Sequence, residues 1–141
     1  MSEINWAALQ QAAQQAAAQA YAPYSKFPVG VAILADSGNI YTGCNVENAS
    51  YGGTVCAERN AIGAAVVAGE RKFTALMVYT PQDMLTPPCG ICRQVIAEFF
   101  SPNAPIASCN HLHQQQNWSL GELLPAAFTP TYLANSTKVG A

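Results

Sequence analysis

Two apolar, β-rich runs, VGVAILA (29–35) and IYTGCNV (40–46), flank the turn signal Asp36-Ser37-Gly38-Asn39, which commits this stretch to a β-hairpin. The other segments have to be fitted around it. Residues 4–20 are rich in Ala and Gln, good helix formers, with Ser2 available as a cap and Pro23 beyond the end. CAERNAIGAAVVAG (56–69) sets Ala57, Ala61, Ala64, Ala65 and Ala68 at helical spacing, with Gly69 as a C-terminal stop. TALMVYT (74–80) reads as a short buried strand, PQDMLTPP (81–88) as a loop, CGICRQVIAEFF (89–100) as an amphipathic helix and APIASC (104–109) as another strand. The polar HLHQQQNWS (111–119) reads as a loop, and the small, polar tail of about 134–141 as loosely held. Helix, hairpin, helix, strand, helix, strand predicts the α/β class, with a mixed β-sheet sandwiched by α-helices in three layers, α/β/α.

A chain of 141 residues, half of them apolar, can bury a core without disulfide staples, and a single domain over 1–141 is expected. No run of about 18 apolar residues is present, and MSEINWAALQ lacks the basic and apolar regions of a signal peptide, so a soluble cytoplasmic protein with no membrane partner is expected. In a reducing compartment, five cysteines point to metal binding or catalysis rather than to bridges. Cys44 and Cys109 read as buried small hydrophobes. Lys26, Arg59, Arg71, Lys72, Arg93 and Lys138 are scattered against eight acidic residues, so no nucleic-acid partner is expected. Charged residues make up only 10% of the chain, a composition that suits a surface partly covered in an oligomer.

Cys56 and the pair Cys89 and Cys92 each fall at the start of an expected helix, and residues three apart on a helix share a face, so three thiolates can converge. Three protein ligands leave the fourth zinc position open for water, which separates catalytic from structural zinc. Helix N-termini offset part of the negative charge. Arg59, three residues past Cys56, is placed to donate to the sulfurs and keep the metal acidic. Alone, Cys-x-x-Cys also marks redox motifs and structural zinc knuckles, and Glu58 alone is an ordinary first-turn acid. The combination adds a third ligand and a carboxylate beside an open site.

Cys56-Ala57-Glu58 followed by Pro88-Cys89-Gly90-Ile91-Cys92 is similar to the all-cysteine variant of the zinc-deaminase signature. Beyond it, YAPYSKFPVGVA, GCNVENASYG, CAERNAI, PPCGICRQV and GELLPAAF occur in that order, and over roughly residues 20–130 the chain resembles the small homotetrameric zinc-dependent cytidine deaminases. The resemblance implies that family's fold, one zinc ion per subunit on Cys56, Cys89 and Cys92, and Glu58 as the catalytic carboxylate. It implies that Phe27 packs beside the nucleoside, that Asn45 and Glu47 hydrogen-bond the ribose, and that Ala49 and Tyr51 fall in the same substrate-lining loop. Ala57 matches a backbone contact to the pyrimidine, and Phe128 an aromatic that a neighbouring subunit supplies to a shared active site. From residue type alone, Phe27 and Phe128 are ordinary packing aromatics, Asn45 a turn residue and Glu47 a solvated acid.

The implied reaction is hydrolytic deamination of cytidine and deoxycytidine to uridine and deoxyuridine with release of ammonia, as in pyrimidine salvage. Zinc supplies ionised water near neutral pH, and Glu58 moves protons to N3 and to the departing amine. Glu47 beside the sugar rewards a hydroxyl donor, and no arginine cluster awaits a phosphate, so a free pyrimidine nucleoside is the expected partner. Two other deaminases fit less well: a blasticidin-type enzyme should lack Asn45-Val46-Glu47-Asn48, and a nucleic-acid editor should be basic. A non-catalytic zinc or thiol-binding module explains the cysteines but not Glu58 and the sugar loop together.

Overall fold

The computed structural model describes residues 3–134, so Ser2 and the tail from 135 onward lie outside the described residues. The first helix, α1, spans Trp6–Ala17, shorter than the expected 4–20. Its N-cap is Asn5, whose side chain accepts from the Ala8 amide at 3.1 Å and so supplies the partner that a first-turn N–H lacks. Leu9, Ala13 and Ala17, four residues apart, form its buried stripe.

That stripe lies on a five-stranded sheet of order β2-β1-β3-β4-β5, made of β1 (Gly30–Ala35), β2 (Ile40–Cys44), β3 (Phe73–Thr80), β4 (Pro105–Asn110) and β5 (Gln115–Ser119). Gly30 permits the close approach: a Cβ there would stand 1.9 Å from the Ala13 carbonyl oxygen. The hairpin forms as its turn signal predicts, with Leu34 paired to Ile40 and Gly38 in the left-handed region at φ 94°. β3 runs antiparallel to β1 and parallel to β4, which makes the sheet mixed.

Side chains alternate across the sheet. Ala32, Ala75, Met77, Tyr79, Ala107 and Cys109 face α1. Val31, Ile33, Leu76, Val78 and Ile106 face the opposite layer, where α2 (Ala57–Val67) and α3 (Gly90–Phe99) pack. The three layers α/β/α are the expected ones. Burial pushes the Cys109 thiol up to about 12, which suits a small core hydrophobe. Cys44 differs from expectation: it ends β2 half-buried, and its carbonyl accepts from Asn60 of α2.

The expected loop 111–119 is instead a turn followed by an edge strand. Asn110 Oδ1 accepts from the Leu112 and Gln114 amides, and β5 then pairs antiparallel with β4, Trp118 opposite Ile106. An edge strand with one solvated face needs no apolar alternation, so its polar letters hid it. Two short helices follow, α4 (Leu120–Leu123) and α5 (Pro130–Ala134). The Ser119–Glu122 capping box starts α4, a signal legible in Ser-Leu-Gly-Glu. Among the described residues no helix is long and apolar enough to cross a membrane.

Candidate metal centre and cavity

Cys56 and Cys89 are the N-caps of α2 and α3, both with extended backbone, and neither spends its side chain on capping its own helix. The sulfurs are therefore free to point away from the helices. Cys92, one turn into α3, is buried, and the three sulfurs lie within 4.8 Å of one another. Tetrahedral zinc with bonds of about 2.3 Å to sulfur sets neighbouring sulfurs about 3.8 Å apart. Cys56 Sγ and Cys89 Sγ stand at 3.8 Å. The donor set fits zinc and, among the described residues, holds no fourth His, Cys or carboxylate ligand.

Helix α2 is seated by the strand beneath it. A Cβ on Gly43 would stand 2.4 Å from the Ala61 nitrogen and 2.6 Å from the Ala57 oxygen, so only glycine lets the helix lie this close. Asn60 Nδ2 donates to the Cys44 carbonyl at 2.8 Å and fixes the helix along the strand. The N-terminal turn carrying Cys56, Ala57 and Glu58 is thus held on the sheet.

The three thiols sit close enough to shift one another's proton affinity. The neighbouring Cys92 thiol and the Arg59 guanidinium hold Cys56 down to about 5, while pairing with Cys56, with burial, pushes Cys92 upward. The Arg59 guanidinium lies 3.7 Å from Cys56 Sγ and also reaches the Thr54 carbonyl, the placement expected for a donor to the sulfurs. Glu58, 4% exposed, is pushed up to about 7, first by burial and then by the charge on Cys56. A carboxyl so placed can both take and give a proton near neutral pH.

A cavity of about 380 Å³ opens beside the thiols. It brings together Phe27, Asn45, Glu47, Cys56, Ala57, Glu58 and Cys89 of the expected set. Ser25, Val29, Thr54, Val78, Thr86 and Pro87 complete the wall, and sequence reasoning did not single them out. Ser25 was within reach, lying inside YAPYSKFPVGVA. Val78 carried no polar signal to distinguish it from the core.

Asn45 and Glu47 first build the wall in which they sit. The Asn45 amide accepts from the Val29 N–H and donates to the Phe27 carbonyl, each at 2.9 Å, leaving one N–H and one lone pair free. Glu47 accepts from the Tyr24 and Ser25 amides at 3.0 and 3.1 Å and from the Ser25 hydroxyl. That hydroxyl, followed by the amides, holds the carboxyl below its ordinary range. The turn passes through Lys26 at φ 57°, a left-handed conformation that delivers Phe27 to the cavity.

Three expected residues lie elsewhere on this chain. Tyr51 is exposed and lines an adjoining pocket with Tyr24, Ser25, Glu47 and Thr54; Ala49 is exposed in the preceding loop. Phe128 is 58% exposed, stacks on Tyr132 at 5.8 Å and accepts a hydrogen bond at its carbonyl from Gln94. It is not part of the cavity wall. His111 pairs with Asp83 at 2.6 Å on the surface, away from the thiols.

The sequence profile of the cytidine and deoxycytidylate deaminase zinc-binding region matches residues 5–107. A cytidine deaminase of Sporosarcina psychrophila is 48% identical over 125 residues, covering 89% of this chain and 92% of that one. A cytidine deaminase of Mycobacterium tuberculosis is 43% identical over 128 residues, covering 91% and 92%. The crystal structure of cytidine deaminase from Burkholderia pseudomallei superposes with a TM-score of 0.84 at 43% identity, covering 89% of this chain and all of that one. Sequence, fold and thiol geometry agree: the chain belongs to the zinc-binding cytidine deaminase family.

Proposed function

We infer that the chain hydrolyses cytidine and deoxycytidine to uridine and deoxyuridine, releasing ammonia. The observation that carries this is the convergence of three thiols with, among the described residues, no fourth protein ligand, beside the buried carboxyl of Glu58. Cys56, Cys89 and Cys92 would hold one zinc ion per chain, which lowers the pKa of a water molecule to about 7 and so supplies the nucleophile. Glu58 takes one proton of the attacking water and delivers it to N3 as C4 becomes tetrahedral; it then takes the remaining proton from the C4 hydroxyl and passes it to the amine, so that the C4–N bond breaks, C4 becomes a carbonyl and ammonia leaves. The Ala57 backbone meets the pyrimidine edge and Phe27 its face. Val78, Pro87 and Thr86 close the wall around the reacting end.

The sugar falls to Asn45 and Glu47, whose unused N–H and lone pairs suit hydroxyl groups. None of the described wall residues is Lys or Arg, which favours a free nucleoside over a nucleotide. Ammonia release from cytidine, deoxycytidine, dCMP, cytosine and blasticidin S, measured side by side, is the test. Free cytosine should lose at least about 10-fold in kcat/KM, since each unsatisfied buried group costs about 1–3 kcal/mol. Equal efficiency on cytosine and cytidine would remove Asn45 and Glu47 from sugar recognition.

A homotetramer with shared sites accounts for the aromatics left outside the cavity. Tyr21, Tyr24, Tyr51, Phe128 and Tyr132 are all about half exposed or more, on a surface poor in charge. In that assembly Phe128 reaches the nucleoside of a neighbouring chain. Mixing inactive Glu58→Gln chains with Phe128→Ala chains should then rebuild activity in sites that combine an intact Glu58 with an intact Phe128. Light scattering reads the assembly size independently. An active monomer, or demonstrated subunit exchange without rescue, contradicts the shared site.

A further inference from the structure

Cys89 is the exposed member of the thiol set, so packing does little to hold it. Its direction is set by the two peptide planes on either side of its Cα, and both are gripped by one residue. The Arg93 backbone N–H donates to the Cys89 carbonyl at 3.0 Å, the ordinary first bond of α3. The Arg93 side chain folds back, and its Nε donates to the Pro88 carbonyl at 2.8 Å. The first bond orients the peptide after Cys89, and the second the peptide before it. Together they restrict φ and ψ at Cys89, and hence the line along which its Cβ and sulfur leave the chain. Pro88 is fully buried, and its carbonyl is the group through which Arg93 holds that plane.

A third contact braces the guanidinium. Arg93 NH1 donates to the carbonyl of Leu123, the last residue of α4, at 3.0 Å. The planar fork thus spans two carbonyls on separate segments, a geometry that lysine, with a single ammonium, cannot reproduce. Arg59 touches the sulfur of Cys56 directly, whereas Arg93 acts only through main chain.

We propose that Arg93 is a positioning residue for the metal centre, fixing the Cys89 thiolate through the Pro88 and Leu123 carbonyls. This rests on the zinc-deaminase reading of the site. Arg93→Gln and Arg93→Ala should each surrender zinc to a chromogenic chelator at a concentration about 10-fold or more below that required for wild type, the usual scale for losing support behind a ligand. In metal-replete buffer kcat should fall while the KM for cytidine stays within about twofold, because the sugar wall is untouched. Guanidinium ion added to Arg93→Ala should restore part of both zinc retention and kcat. Arg93→Lys should lose zinc to an intermediate extent.

Arg71 provides the control. Its guanidinium also binds two carbonyls, those of Val66 and Glu70, at the far end of α2. Arg71→Ala should match wild type in zinc retention and kcat. Wild-type chelator resistance and kcat in a folded Arg93→Gln protein overturn the proposal. If the Gln and Ala variants fail to fold, wild-type zinc retention in Arg93→Lys overturns it. A rise in KM with zinc retention unchanged does so too. A wild-type protein that binds no zinc and releases no ammonia would instead overturn the functional reading, whatever the Arg93 variants do.

Discussion

Replacing Glu58 by glutamine is expected to leave fold and zinc content in place while cutting kcat for cytidine by at least about 100-fold. The two side chains have nearly the same shape, so the substitution leaves no cavity at a position only 4% exposed. Burial already favours the uncharged acid, and a neutral amide suits the same surroundings. What the amide cannot do is carry a proton away and return it. The loss should therefore fall on turnover, with elemental zinc and the circular dichroism spectrum as for wild type. Wild-type turnover in a zinc-loaded Glu58→Gln protein would remove the residue from the chemistry.

Cys92→Ala is expected to lose zinc and, with it, nearly all activity. Cys92 is fully buried in α3 and is the largest influence lowering the Cys56 thiol, so its removal takes away one of three donors and alters a second. Two remaining thiols make a poor site for a tetrahedral cation, and no spare ligand stands near them among the described residues. Cys109→Ala separates ligation from packing. That thiol is equally buried but faces α1 on the other side of the sheet, and its loss should cost some stability while leaving stoichiometric zinc. Full activity or full zinc content in Cys92→Ala would refute the three-thiol centre.

The parts of the molecule legible in the sequence were those where one residue type has one physical use. The Asp36-Ser37-Gly38-Asn39 turn needs its glycine in the left-handed region, and the hairpin followed from it. Cys56 and Cys89 each precede a helical pattern, which places two sulfurs at helix starts. β5 escaped because edge pairing is made by main chain, which leaves no mark on side-chain pattern. The limits of α1 were overestimated because Ala and Gln continue past Ala17, where propensity persists but the buried stripe ends. Ser25 stands in a legible motif, but its pairing with Glu47, like the reach of Arg93 to the Leu123 carbonyl, leaves no local sequence signal because tertiary structure brings the partners together.

The parallel pairing of β3 with β4 bears on how the protein acquires its stability. Helix α2 leads into β3 and α3 leads from β3 to β4, so the two thiol-bearing helix starts belong to the connections that install the central strands. Cys56 and Cys89 are 33 residues apart in sequence and meet only when β3 has entered between β1 and β4. An unfolded chain therefore presents the local Cys89 and Cys92 pair but not the three-thiol site. Metal binds the finished sheet in preference to its precursors, and the free energy of ligation becomes free energy of folding. Depleting zinc shifts the balance between folded and unfolded chains as well as the supply of active sites, and heat resistance becomes a function of metal concentration.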